Sequence, residues 1–408
     1  MSEAAKPPVP RSMRDMPIWP LAATVAVQTL ATAALFSVPT AAPEIARELS
    51  LPGPLVGVFV SIVYCVGIGS ALLSPGFIRR FGAVRMTQAV LVSVVGMLVI
   101  AAAGGTAAML GLAGVVLGLG YGAAAPASTH LLVPQTPRPV FNLVMSIRQT
   151  GVPLGGVLGA LIIPPLVLAL GWRSALLIEL GPVLLLLALM ELPRRRWDIG
   201  LDPGRPLLSG ALLEPFRLLR RDDRLLVLSV ASFVYSGVQL CFIAFMTVQL
   251  TTIARFTLVD AGYALAVYQV AGAVSRPVWG WVADRVMSPS RTLAVHGVGI
   301  AIACVAAGLF GPGWPAALIV LVCVLGGSTA SGFTGVAYAE YATLGGTRRT
   351  EATGLGTAAM FFGVMVIPSA FGVAVTRWGG YAAPYAVLAV LAVFSAALLW
   401  ARPGESSG

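Results

Sequence analysis

Twelve runs of mostly apolar residues, each near the length of about 20 that a helix needs to cross a bilayer, recur along the chain. They fall near 18–40, 54–76, 85–104, 108–131, 141–166, 172–192, 225–249, 262–283, 292–311, 315–338, 354–376 and 382–402. Hydrocarbon offers no water to backbone N–H and C=O groups, so each run has to be a helix and irregular backbone belongs at the interfaces. Glycine and proline collect at those breaks, as in Pro52-Gly53-Pro54, Gly104-Gly105, Pro134 to Pro139, Gly311-Pro312-Gly313, Gly345-Gly346 and Gly379-Gly380. Only 10% of the 408 residues are charged and 58% are hydrophobic, whereas a soluble domain carries roughly 25% charged residues. The pattern predicts an all-α polytopic membrane protein of twelve transmembrane helices.

The net charge of +10 would point to nucleic acid only as a patch on a soluble domain; here it has to be read by connection. With the N-terminus inside, twenty of the 26 Lys and Arg residues fall on the inner side, eight of them between Arg194 and Arg224, and only Arg47, Arg173, Arg255 and Arg377 fall outside. This asymmetry predicts cytoplasmic N- and C-termini, an even number of spans and no nucleic-acid partner. The polar stretch before Ile18, with Lys6, Arg11 and Arg14, lacks the small-residue cleavage site of a signal peptide and reads as a retained cytoplasmic tail. The expected location is the cell inner (plasma) membrane.

Cys65, Cys241, Cys304 and Cys323 lie in apolar runs without CxxC spacing, and His130 and His296 form no metal-ligand motif, so neither a disulfide framework, a metal site nor a cofactor is expected. No GxxxxGK[ST] segment is present, which excludes direct ATP drive by this chain.

The charged stretch 193–224 divides six runs from six. The expected organisation is a tail at 1–17, a six-helix bundle at 18–192, a cytoplasmic linker at 193–224, a second bundle at 225–402 and a tail at 403–408. At an offset of 205 residues, Gly67 falls on Gly272, Ser70 on Ser275, Arg80 on Arg285, Gln135 on Glu340 and Gly151 on Gly356, which suggests a duplicated, pseudo-symmetric six-helix unit. Parallel repeats of this kind build one class of secondary transporters.

The segment Gly280-Trp281-Val282-Ala283-Asp284-Arg285, followed by Arg291, resembles the signature loop between the second and third helices of each half in the major facilitator superfamily. Twelve spans, the basic mid-chain loop and the 6+6 repeat extend the resemblance along nearly the whole chain. The first-half copy departs from the pattern: Pro75 stands in place of the first glycine and Arg79 in place of the aspartate. The resemblance implies an alternating-access transporter whose first, fourth, seventh and tenth helices line a central cavity. It also implies a conformational latch at the cytoplasmic face, with Asp284, Arg285, Arg276, Glu340 and Gly280 as its members. A carboxylate at such a helix end can pair with arginines and face the positive N-terminus of a neighbouring helix, here the eleventh, near Gly354. The alternative is that these are interfacial charges marking helix ends.

Arg148 lies about two turns inside the fifth run. A guanidinium at membrane depth costs about 2.5 to 3.5 kcal/mol on insertion scales and usually faces a cavity or partner. It is therefore a candidate for neutralising an anionic solute, with Gln149 beside it, or else for snorkelling to headgroups or bonding the 134–139 loop. Gly151-Val152-Pro153 to Gly156 partly resembles the glycine–proline motif of the superfamily's exporters, with the proline one position late. Carried over from the resemblance, further cavity candidates are Gln28, Thr32, Tyr121, His130, Tyr235, Gln239, Ser328, Thr329 and Ser331. Gln28 and Gln239 stand out because amides are costly to bury unpaired. Glu179 is the one acidic residue well inside a run, in the sixth helix, which the resemblance places on the outside of the bundle.

The expected function is secondary or facilitative transport of a small anion by a monomer in the lipid bilayer, with a coupling ion as a further partner. The alternative is a multidrug or metabolite exporter. A membrane-embedded enzyme is a remote third reading, since no nucleophile–base or metal constellation is visible and no catalytic residue is expected.

Overall fold

The computed structural model describes residues 16–50, 53–198, 201–204, 207 and 214–401, and all regular structure among them is helical. The linker expectation for 193–224 lies partly outside these residues. The first half of the chain comprises α1 (Ile18–Thr40), α2 (Ala42–Glu48), α3 (Gly53–Phe81), α4 (Ala83–Ala103), α5 (Ala107–Tyr121), α6 (Ala124–Leu132), α7 (Phe141–Gln149), α8 (Gly151–Leu170), α9 (Trp172–Ile178) and α10 (Leu180–Leu189). Two short helices, α11 (Arg194–Trp197) and α12 (Glu214–Arg221), lie between the halves. The second half holds α13 (Asp223–Thr252), α14 (Leu258–Arg285), α15 (Pro289–Gly308), α16 (Ala316–Gly326), α17 (Thr334–Gly345), α18 (Arg349–Trp378) and α19 (Ala382–Ala401).

Local chemistry sets the helix ends. The side chains of Thr106, Asp222, Thr257 and Ser288 accept from the N–H groups of Met109, Arg224, Asp260 and Arg291 and so cap α5, α13, α14 and α15. Gly379, at φ 69°, closes α18 in the left-handed conformation that a residue with a side chain would resist.

Several apolar runs are not single helices. The fourth run divides into α5 and α6, the fifth into α7 and α8 at Thr150, and the sixth into α9 and α10 at Glu179. Between α16 and α17 the backbone widens into a π-helical segment, Gly327–Ser331. Glycine, proline and hydroxyl-bearing residues occupy these breaks, as the Gly118 to Pro126 and Gly326 to Ser331 sequences dictate.

Among the described residues, ten stretches are long and apolar enough to cross a membrane. One is the 63-residue run Ala316–Trp378, which contains α16, α17 and α18; α14, carrying Asp260, Arg276, Asp284 and Arg285, is not among the ten. The buried apolar side chains form two large clusters. One runs from Val27 to Met190, and the other from Leu225 to Leu399 with Ala125. The seam between the clusters is crossed by α3 against α18 and by α14 against α7, and this seam holds the site.

Candidate functional site at the central seam

A cavity of about 120 Å³ opens at the seam, lined from both halves of the chain. Gln28 of α1, Tyr121 of α5 and Gln149 of α7 reach it from the first half, and Gln239 of α13, Arg276 of α14 and Ser331 from the second.

Arg276 is 1% exposed, and the way it is held follows from the helix breaks. Its Nε donates to the Ser331 carbonyl at 3.0 Å and its Nη2 to the Ser331 hydroxyl at 3.2 Å. Its Nη1 donates to the carbonyl of Gln149 in the other half. Four residues beyond Gln149 stands Pro153, which has no N–H to give that carbonyl, so the helix itself leaves the acceptor open. Ser331 ends the π-helical segment, a distortion that frees backbone acceptors at functional sites. The Ser328 carbonyl in the same segment takes the indole N–H of Trp279 at 2.8 Å and the Ser275 hydroxyl at 3.2 Å.

Arg148 is also fully buried but stands one layer behind the cavity wall. Its Nη1 donates to the Ser128 hydroxyl at 2.6 Å and its Nη2 to the Gln149 side-chain oxygen at 2.5 Å. The guanidinium lies over the Tyr338 ring, 5.1 Å from its centre, and its Nε has no partner. Gln149 thus joins the two arginines, through its side chain to Arg148 and its backbone to Arg276. Among the described residues no carboxylate pairs with either guanidinium. The arginine is therefore held by hydroxyl, amide and aromatic groups inside the protein, neither snorkelling nor reaching the 134–139 loop.

The remaining candidates divide. Gln28 donates to the Thr32 hydroxyl at 3.2 Å, Thr32 bonds the Tyr121 hydroxyl at 3.1 Å, and Gln239 donates to the Ser331 hydroxyl at 3.2 Å. Tyr121 stacks on Phe361 with ring centres 5.7 Å apart, and Tyr64 meets Phe361 edge-on at 4.9 Å. Tyr235 does not reach the cavity; it packs edge-on against Phe333 and donates to the Leu293 carbonyl at 3.2 Å. Thr329 turns away toward Gly299. His130 sits farther along, its Nδ1 2.9 Å from the Thr350 hydroxyl.

The residues grouped as a latch occupy three separate places. Arg276 belongs to the cavity. Glu340 is buried against α15, where it accepts from the Ser290 hydroxyl at 2.9 Å. Asp284 faces the start of α7, in the fifth run, and not the eleventh: its two oxygens accept from the N–H groups of Asn142 and Leu143, each at 2.9 Å, and from the Asn142 amide at 2.9 Å. This cap satisfies donors that the first turn of a helix leaves open. Arg285 follows Asp284 at the exposed helix end. Gly280 lies over the same junction, where an added Cβ would come 2.7 Å from the Asn142 carbonyl and 2.8 Å from Leu143 Cα. The separation has a simple reason: Arg276 is two helical turns deeper than Asp284, about 12 Å along α14.

Sequence reasoning missed Gln269, Tyr64, Phe361 and Tyr338 as lining residues. Gln269 lies seven residues before Arg276, on the same helix face, and that spacing could have found it. It also missed the pair of Arg79 with Glu351, N···O 2.6 Å, at the junction of α3 with α18. Glu179 lies nearer the bundle interior than expected, accepting from the Ser37 hydroxyl of α1.

The major facilitator superfamily model matches residues 24–343 and 228–408. The chain belongs to the major facilitator superfamily. Its fold agrees with those of superfamily transporters: the outward conformation of FucP aligns at TM-score 0.71 and 15% identity, covering 95% of this chain and 99% of that one. The human organic anion transporter MFSD10 aligns at TM-score 0.73 and 17% identity, covering 94% and 99%. Among curated relatives, the chain is 36% identical over 107 residues to a probable nitrate/nitrite transporter, NarK2, of Mycobacterium tuberculosis, covering 25% of this chain and 27% of that protein. It is 23% identical over 193 residues to a chloroplastic ascorbate transporter of Arabidopsis thaliana, covering 45% and 35%. The chain thus spans about a third or less of the length of these curated relatives. Membership makes it a multi-pass membrane transporter of the superfamily and not an enzyme.

Proposed function

We propose that this transporter carries a small anion by alternating access, with Arg276 as the group that receives it. The carrying observation is a fully buried guanidinium on the cavity wall, with a second behind it and no carboxylate paired to either among the described residues. Two uncompensated buried cations are costly, and an anion entering the cavity supplies the missing charge through charge-assisted hydrogen bonds. Three relatives or neighbours named above act on anions by their descriptions, which accords with this reading.

The remaining parts of the proposal follow the charge pattern. Twelve spans arise if α14 is counted and the 316–378 run is counted as two, giving six on each side of the 193–224 linker. The arginine-rich junctions then lie at the cytoplasmic face of the cell inner membrane, with both termini inside and the monomer as the working unit. The exporter alternative draws on the proline of the fifth run, but Pro153 already has a role in opening the Gln149 carbonyl to Arg276.

The test is uptake into proteoliposomes across a panel of monocarboxylates, dicarboxylates and inorganic anions, with and without a pH gradient. Saturable anion uptake that is lost in Arg276→Ala supports the reading. Efflux of cationic dyes with no anion uptake would replace it by the exporter.

A further inference from the structure

The cavity has a cationic end and an apolar end, separated along the helices. On α14, Gln269 and Arg276 both line it, and seven residues of helix place them about 10 Å apart. Around Arg276 stand Gln149 and Ser331. At the other end Gly156 marks the meeting of two elements, because a Cβ there would lie 3.8 Å from the Phe36 ring and 3.9 Å from the Gln269 amide nitrogen. Ile243 and Val364 also line the cavity, and Tyr64, Tyr121 and Phe361 form one contiguous aromatic group on its wall. Among the described residues, Arg276 is the one charged residue on the lining.

We infer that the solute is a compact, flat, apolar monocarboxylate, an aromatic acid bound with its carboxylate at Arg276 and its ring against Tyr121 and Phe361. Three features of the cavity lead there. Its volume of about 120 Å³ is several times the roughly 10–15 Å³ that a single water needs, so a four-atom oxyanion would leave part of it unfilled. A dicarboxylate would bring a second charge into a lining whose one charged residue, among the described residues, is Arg276, and burying an unpaired carboxylate is costly. An aromatic ring instead meets ring edges and aliphatic side chains, which is the surface it prefers. Gln269 then stands opposite the carboxylate and can bond a hydroxyl in the para position.

This inference rests on the anion reading, and one experiment separates the two. Purified protein in proteoliposomes is assayed for uptake of radiolabelled benzoate, with nitrate, succinate and the neutral isostere benzamide as competitors. Binding is followed in parallel by intrinsic tryptophan fluorescence. Benzoate should be taken up, nitrate and succinate should compete about tenfold less well or worse, the scale set by burying one aromatic ring, and benzamide should not compete. In Gln269→Ala the preference for 4-hydroxybenzoate over benzoate, read as the ratio of their uptake KM values, should shrink several-fold. Transport of nitrate or succinate in preference to benzoate overturns this inference and leaves the anion reading standing. Competition by benzamide equal to that of benzoate, or neither binding nor uptake of any of the three anions, overturns both.

Discussion

Arg79 and Asp284, 205 residues apart in sequence, close the two halves of the chain against each other at the same end with opposite charge. Arg79 at the end of α3 donates to Glu351 at 2.6 Å and to the Thr347 carbonyl at 3.0 Å, at the start of α18. Asp284 at the end of α14 accepts from Asn142 at the start of α7, and Asn142 and Thr347 are themselves 205 residues apart. The two junctions thus share the same 205-residue offset with the polarity inverted. Where a carboxylate meets backbone donors in one junction, an arginine meets a backbone acceptor and a carboxylate in the other.

Inversion of the pair should be tolerated better than its loss. Glu351→Gln removes a bond of the charged kind, each about 1.5–3 kcal/mol, and should shift the access equilibrium about tenfold toward the state open at this end. Arg79→Glu with Glu351→Arg should recover part of that shift. Distance distributions between spin labels on α4 and α15 report the populations, and equal populations in all three proteins would remove the pair from the gating mechanism.

Asp284→Asn turns one of three accepting interactions into a clash of donors. The cap should weaken by about 1 kcal/mol, the usual scale for an N-cap, so that turnover changes while membrane insertion does not. Unaltered transport kinetics would reduce Asp284 to a marker of the helix end.

The two arginines should behave differently. Arg276→Lys keeps the charge but cannot bond Ser331 and Gln149 as a fork, and uptake should fall with KM rising about tenfold or more. Arg148→Lys should be milder, because Arg148 lies behind Tyr338 and contributes field more than contact. Equal losses in both variants, measured as KM and kcat of uptake, would mean that the solute meets both arginines.

Pro153→Ala restores an N–H that competes for the Gln149 carbonyl. KM for the transported anion should rise several-fold with expression unchanged, because Arg276 loses the acceptor that positions it. An unchanged KM would separate the proline from the site.

Gly280→Ala places a methyl group 2.7 Å from the Asn142 carbonyl oxygen. Overpacking of this kind typically costs about 1–3 kcal/mol, and here it is concentrated in the state in which α7 and α14 touch. Purified protein should retain its secondary structure by circular dichroism yet show the spin-label shift of Glu351→Gln. A loss of helical content would instead mark Gly280 as a folding requirement.

The membrane-spanning runs and the superfamily were legible in the sequence because hydropathy and charge placement are one-dimensional signals. Gln28, Gln149 and Gln239 could be found as buried amides for the same reason. The exchange of roles between Arg148 and Arg276 could not be seen: both are deep arginines, and only the crossing of α14 with α7 decides which one meets the cavity. Asp284 was assigned to the wrong helix start because the choice between α7 and α18 depends on which half faces which. Glu351 was hidden by Arg348 and Arg349 before it, a run that reads as solvated charge. Tyr235 had the expected helix but the wrong face of it.

The bond from Arg276 to the Gln149 carbonyl spans the two halves, so no rocking motion can separate them there without stripping that guanidinium of a partner. A bound anion that takes over the freed N–H groups lets the halves part, whereas an empty carrier has nothing to offer in exchange. The return stroke without cargo is then the slow one, and swapping labelled solute for unlabelled solute across the membrane should run faster than net movement down a gradient.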